Sequence, residues 1–301
     1  MKTWVKVDEA MKHYGTLDQS QKRVNTVISI LTMMFAVDLV LINIHRIKDD
    51  TLAGKMKFNL ETWNHLVRDL KYPYVYQIFH YDVVSGIILV ILQTQFQIAA
   101  TYMDLFIIIN SILLTERVGK VSDRIKELSQ NLITSEDQWM AVREDYNRLE
   151  CLCKTINVEL GYAFLISYAG NLGGVLIQLY NTVNFEGTVI GLTYLYYSFS
   201  FVLTRILCVC FFGSNVNEAA KKSLMFVYRA PNSPYYTEID RLIRQISRES
   251  LTLNGLNFFQ IKRNLFLKIA GSIVTYELVL VQFAGDVMHD KSTSKNITNS
   301  L

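Results

Sequence analysis

Residues able to do chemistry concentrate near the carboxyl end of the chain. Thr275, then Leu278 or Val279, then Gln282 and Asp286 recur at intervals of three or four, so on a helix they share one face. Tyr276, Leu280, Phe283 and Val287 form the stripe beside it. A Gln282 amide placed in hydrocarbon without a partner would cost roughly a few kcal/mol. That face therefore predicts a water-filled path or a partner helix. Asp286 and Asp290 follow it, and in several copies of the chain they would form acidic rings that concentrate cations.

Four charges fall inside otherwise apolar stretches, where a charge is expensive and points to function. Asp104 and Arg205 stand toward corresponding ends of their stretches, where they either pair or reach separately for the interface. Glu277 sits near mid-depth in the last stretch and turns to protein or water. Asp38 lies in the far half of the first. Other chemistry is missing: no nucleotide-binding glycine loop, zincin helix or nucleophile elbow occurs. The 5 histidines are scattered, and the 4 cysteines stand as Cys151–Cys153 and Cys208–Cys210. Residues two apart on a helix point to different faces, so neither cysteine pair suits a metal or a disulfide. The expectation is no cofactor, no metal and no enzymatic activity. A net charge of +3 with no basic-aromatic stripe also excludes a nucleic-acid partner.

The elements that must position these residues are membrane helices. Half of the residues are apolar. A crossing helix needs about 20 such residues in a row, and five stretches supply them: 24–44, 83–114, 160–183, 188–212 and 265–284. None contains proline, so backbone hydrogen bonding can run unbroken, as lipid requires. Lysine and arginine cluster before the first span, after the second and after the fourth, which predicts a cytoplasmic amino terminus and an extracellular carboxyl terminus. The chain is then divided into a cytoplasmic segment 1–23, an extracellular loop 45–82, a cytoplasmic helical anchor 115–159, a cytoplasmic loop with a further anchor helix 213–264, and an extracellular tail 285–301. The loop after the first span is itself basic and dissents mildly. No cleavable signal peptide is expected, because residues 1–23 are polar and lysine-rich. Within the anchor Val121, Ile125, Leu128 and Leu132 keep helical spacing, as do Ile239, Leu242, Ile243 and Ile246. Gly170, Gly173 and Gly174 suit close helix packing. Asn296-Ile-Thr298 is a glycosylation sequon on the outer tail. The fold class is all-α and polytopic.

Three stretches carry a resemblance. Thr275-Tyr276, five residues, then Gln282-Phe283 is similar to the signature that insect gustatory receptors hold in their final helix. The block from Gly255 through Phe258, Phe259, Lys262 and Arg263 to Gly271 resembles the sugar-receptor branch, as does Asp104-Leu-Phe-Ile through Glu116-Arg117. The likeness covers roughly residues 80 to 286. It implies a tetrameric, ligand-gated, non-selective cation channel in the plasma membrane, with the final helix of each subunit lining a central pore. On that reading Thr275, Val279, Gln282, Phe283 and Asp286 line the pore and gate, Phe283 closing the path by dewetting while Gln282 stays hydrated. The family has seven spans; five are legible here, and the other two would precede Val24.

The resemblance also implies a ligand pocket in the extracellular half. Sugars are held by carboxylates and amides that grip hydroxyl pairs, with aromatic rings against the apolar sugar face. Asp38, Gln93, Gln97, Asn171, Gln178, Tyr194 and Tyr197 supply that chemistry. The implied partners are the lipid bilayer, small sugars and other gustatory receptor subunits, in a homo- or heterotetramer. The alternatives are a non-conducting subunit, a heptahelical G-protein-coupled receptor, or a transporter. The second would place the carboxyl terminus in the cytoplasm. Transporters tend to show repeats and interrupted helices, which this chain lacks.

Overall fold

A computed structural model describes residues 2–14, 18–52, 67, 73–131, 135–183, 189–229, 237–248 and 251–298. Eight helices are labelled in order: α1 (Lys2–Ala10), α2 (Asp18–Leu52), α3 (Pro73–Ile78), α4 (Val83–Gln130), α5 (Glu136–Val183), α6 (Val189–Val227), α7 (Thr237–Arg248) and α8 (Arg263–Thr298). A 3-10 turn, Lys12–Tyr14, follows α1. Strands β1 (Asn254–Gly255) and β2 (Phe259–Gln260) form a small antiparallel hairpin just before α8.

Local sequence sets the helix starts. Ser135 precedes α5, and the Gln138 side chain accepts its N–H at 3.3 Å, a capping box. Glu136 and Asp137 in the first turn complement the helix dipole. At α4 the Ser85 hydroxyl plays the same part, accepting the Asp82 N–H at 3.2 Å. Among the described residues, four helices are long and apolar enough to cross a membrane, within α2, α4, α5 and α6. Their outward side chains are apolar, for example Met33, Val40, Ile88, Phe96, Ile166 and Tyr196. The chain is therefore a multi-pass membrane protein. The fifth expected span, 265–284, is helical throughout inside α8.

Two features add to the expected fold. Helix α2 runs on to Leu52, beyond the expected span 24–44. The residues beyond it are charged but hold no proline or glycine before Gly54, so nothing breaks the helix. The other feature is the short hairpin within an otherwise helical chain. Its turn has positive φ at Leu256 (49°) and Asn257 (61°), with the Phe258 N–H donating to the Gly255 carbonyl at 2.9 Å. Asn tolerates that conformation and Leu does not, so the turn is held from outside. Asn157 on α5 accepts the Asn254 N–H at 3.0 Å and donates to the Thr252 carbonyl at 2.8 Å. Gly255 cannot carry a side chain, since a Cβ would meet the Phe259 ring at 2.6 Å.

The chain divides into two compact units. The first comprises 1–29, 104–170 and 205–271; the second comprises 30–103, 171–204 and 272–301. The core of the first is built from the amphipathic stripes. Val121, Ile125 and Leu128 of α4, Trp139, Tyr146 and Leu149 of α5, Val216 and Phe226 of α6, and Leu242 and Ile246 of α7 are all buried. Leu132 lies outside the described residues. Polar groups fix this packing. Buried Glu238 accepts from Arg143 at 2.5 Å and from Arg241 at 2.5 Å. Gln245 donates to Glu150 at 2.8 Å, and Tyr14 donates to Asp145 at 2.9 Å. Burial pushes the Cys153 thiol up to about 12, against the Thr252 carbonyl at 3.6 Å. In the second unit Phe35 and Phe201 stack at 6.3 Å between centroids.

Close approach at Gly213 is the first thing to test. A Cβ there would meet Ile261 Cγ2 at 2.7 Å. Gly213→Leu should destabilise the detergent-purified chain by about 1–3 kcal/mol, read as a lower melting temperature. The Arg143 hydrogen bond, joined by Arg241, holds the Glu238 carboxyl below its ordinary value near 4.5. A depressed folded pKa gives stability that is complete above the ordinary value and is lost as pH falls through the folded one. Melting temperature should therefore drop below about pH 4.5 in the wild type and drop less steeply in Glu238→Gln.

Candidate functional site

Helix α8 leaves the hairpin at Arg263 and buries Leu265 and Ile269 in the first unit. From Val274 to Val279 every side chain is exposed, and so is Gln282. Thr275, Val279 and Gln282 share one face of this exposed stretch, with Tyr276, Glu277 and Leu278 beside them. Phe283, Asp286 and Asn296 lie within the helix, and their side chains are outside the described residues.

Asp104 and Arg205 are paired. Arg205 donates through Nε at 2.8 Å and Nη2 at 2.5 Å to one Asp104 oxygen. The other oxygen accepts from the Ser167 hydroxyl. Both charged side chains are largely out of water, 13% and 2% exposed. The carboxylate thus ties α4, α5 and α6 together. Ser167 was not singled out from the sequence; its place a few turns along α5 from the anchor stripe carries no signal of its own.

All seven ligand-binding candidates fall in the second unit. Asp38 and Asn171 are buried. Tyr197 donates to the Met34 carbonyl at 2.9 Å, one turn before Asp38 on α2, and is close enough to interact with the Asp38 charge. Gln178 donates to the Ser198 hydroxyl at 2.9 Å, joining α5 to α6. The Gln178 Oε1 is buried and accepts no hydrogen bond among the described residues. Asn171 and Gln178, seven apart, occupy one face of α5. Gln93 and Gln97 are half-buried one turn apart on α4, and Tyr194 is half-buried one turn from Tyr197. The structure therefore brings Asp38 to Tyr197 and Gln178 to buried Ser198. Ser198 was missed by sequence reasoning, although it follows Tyr194 at the next turn of the same face. Among the described residues no group of histidine, cysteine and carboxylate side chains could hold a metal ion.

The Asp104 pair generates a clear expectation. Removing one partner leaves the other charge buried, which costs about 3–5 kcal/mol. Asp104→Ala and Arg205→Ala should each cut the folded, monodisperse fraction in detergent sharply. The double replacement Asp104→Leu with Arg205→Met should recover much of it, as scored by fluorescence size-exclusion.

Comparison with known proteins follows from this geometry. The family model described as Trehalose receptor matches residues 1–293. The chain is 30% identical over 212 residues to the Drosophila melanogaster gustatory receptor for sugar taste 64a, covering 70% of this chain and 46% of that one. It is 30% identical to gustatory receptor 5a for trehalose of the same species, covering 62% and 42%. The odorant receptor coreceptor of Anopheles gambiae is 24% identical over 46% of this chain. The chain spans about half or less of the length of the curated relatives it matches. In fold it is similar to the olfactory receptor OR5 of Machilis hrabei in complex with eugenol, with a TM-score of 0.67 at 14% identity, covering 89% of this chain and 68% of that one. The chain is thus no enzyme: it belongs to the trehalose receptor family, the sugar branch of the insect gustatory receptors.

Proposed function

We propose that the chain is a subunit of a sugar-gated, non-selective cation channel of the plasma membrane. The last helix carries this reading. Thr275, Val279 and Gln282 form a face that the chain itself leaves exposed. Amides avoid hydrocarbon, so water and copies of the same helix are the natural cover. Four subunits, identical or mixed with other gustatory receptors, place that face around a central path. Phe283 closes it, Gln282 remains hydrated, and Asp286 rings the outer mouth. The amino terminus is cytoplasmic, with the first unit forming the anchor, and the carboxyl terminus with Asn296 is extracellular.

The ligand belongs in the second unit. Asp38 beside Tyr197 offers a carboxylate and an aromatic ring. Gln178 offers a buried carbonyl oxygen that a sugar hydroxyl would satisfy. The sugar opens the channel by contacting the open state better than the closed one, since equal contact shifts nothing.

Current recorded from cells expressing the chain, alone and with a second gustatory receptor subunit, tests this. Disaccharide should evoke a cation current. Phe283→Ala should raise the sugar-free leak several-fold, and an unchanged leak at equal surface expression argues against the gate. Asp38→Asn should raise the half-maximal sugar concentration about tenfold, the loss of a charged hydrogen bond, while the maximal current persists.

A further inference from the structure

We propose that the first unit holds a site for the phosphorylated headgroup of an anionic membrane lipid, in a cleft lined by α2, α4 and α6. The cleft, of about 490 Å³, presents Arg23 from α2, Lys120 and Ser122 from α4, and Asn215 and Lys222 from α6. Glu116 and Asp123 also line it, leaving the cations in excess by one. Arg23 and Lys222 form no ion pair among the described residues, and Lys222 is held over the Phe226 ring at 5.7 Å.

Two further observations point to a ligand. The Ser122 hydroxyl is 2% exposed and has no hydrogen-bond partner among the described residues. A buried hydroxyl left so is costly unless a ligand oxygen or water satisfies it. Gly119 lines the same cleft, and a Cβ there would meet nothing within 4 Å. The space is open, not filled by protein.

The level of the cleft decides the source of the phosphate. The apolar run of α2 begins directly after Arg23, that of α4 ends directly before Thr115, and that of α6 ends at Phe212. Arg23 therefore stands where α2 leaves the hydrocarbon, the depth of lipid headgroups, and Lys120 and Lys222 lie six and ten residues beyond the apolar runs of α4 and α6, with side chains long enough to reach back. Phe212 also lines a second, apolar cleft of about 630 Å³ with Cys208, Phe211 and Phe266. One aromatic wall thus faces a cationic surface and an apolar one, which suits a phosphate joined to an acyl chain.

Native mass spectrometry of the full chain in detergent would test the site with dioctanoyl phosphatidylinositol bisphosphate, against dioctanoyl phosphatidylcholine. The bisphosphate lipid should be retained over the zwitterionic one. Arg23→Gln with Lys222→Gln should weaken retention about thirtyfold, the loss of two near-surface cations. Gly119→Leu should weaken it too, with charge untouched and melting temperature unchanged. Lys221→Gln, whose lysine pairs with Glu218 at 3.1 Å, should leave retention intact. Equal loss in Lys221→Gln would mean diffuse surface attraction and overturn the site. So would retention unchanged in Gly119→Leu. Full competition by inositol trisphosphate at equal concentration would assign the cleft to a soluble phosphate and overturn the lipid.

Discussion

A carboxylate withdrawn from water must find a cation and enough donors to fill its lone pairs, or it will not stay. Asp104 meets that demand with Arg205 from α6 and the Ser167 hydroxyl from α5. Each of the three helices is long and largely apolar, and apolar contact alone does not fix rotation or register between membrane helices. The pair does so because sliding α4 or α6 by one residue would separate the charges, and sliding α5 would withdraw the Ser167 hydroxyl. Asp104 and Arg205 each also open a segment of the first compact unit, so the residues that follow them enter the anchor in register. The stripe of α4 and Trp139 and Tyr146 of α5 are buried in that unit together with Leu242 and Ile246 of α7, and the Arg143–Glu238 ion pair joins α7 to α5.

Much of this was legible in the chain. Long apolar runs without proline dictate helices, and helical spacing at Val121, Ile125 and Leu128 dictates which side of α4 is covered. The types of Asp104 and Arg205 narrowed their fates to two, and geometry chose the pair. What escaped has a common cause: it depends on a partner distant in sequence. The turn at Leu256–Asn257 forms against local preference because Asn157, about a hundred residues earlier, grips both of its flanks. Ser167 and Ser198 are common residues in membrane helices, and only the residue opposite gives each a role. The continuation of α2 past its span has a different cause. Charge suggested a loop, whereas helix termination requires a breaker, and none is present before Gly54.

The two ends of α8 obey different rules. Leu265 and Ile269 are committed to the core of the first unit, while Val274 to Val279 are covered by none of the described residues. A polypeptide seldom leaves six consecutive side chains of a long helix uncovered unless something outside it provides the cover.

The cysteines carry a practical corollary. Cys153 lies beneath the segment that leads into the hairpin, its sulfur against the Thr252 carbonyl, while Cys151 two residues away is exposed. A thiol so buried and so reluctant to ionise is silent toward alkylating reagents until its cover lifts. Its rate of alkylation in an otherwise native chain is therefore a clock for transient detachment of the segment that feeds α8, with Cys151 as the internal reference for full access.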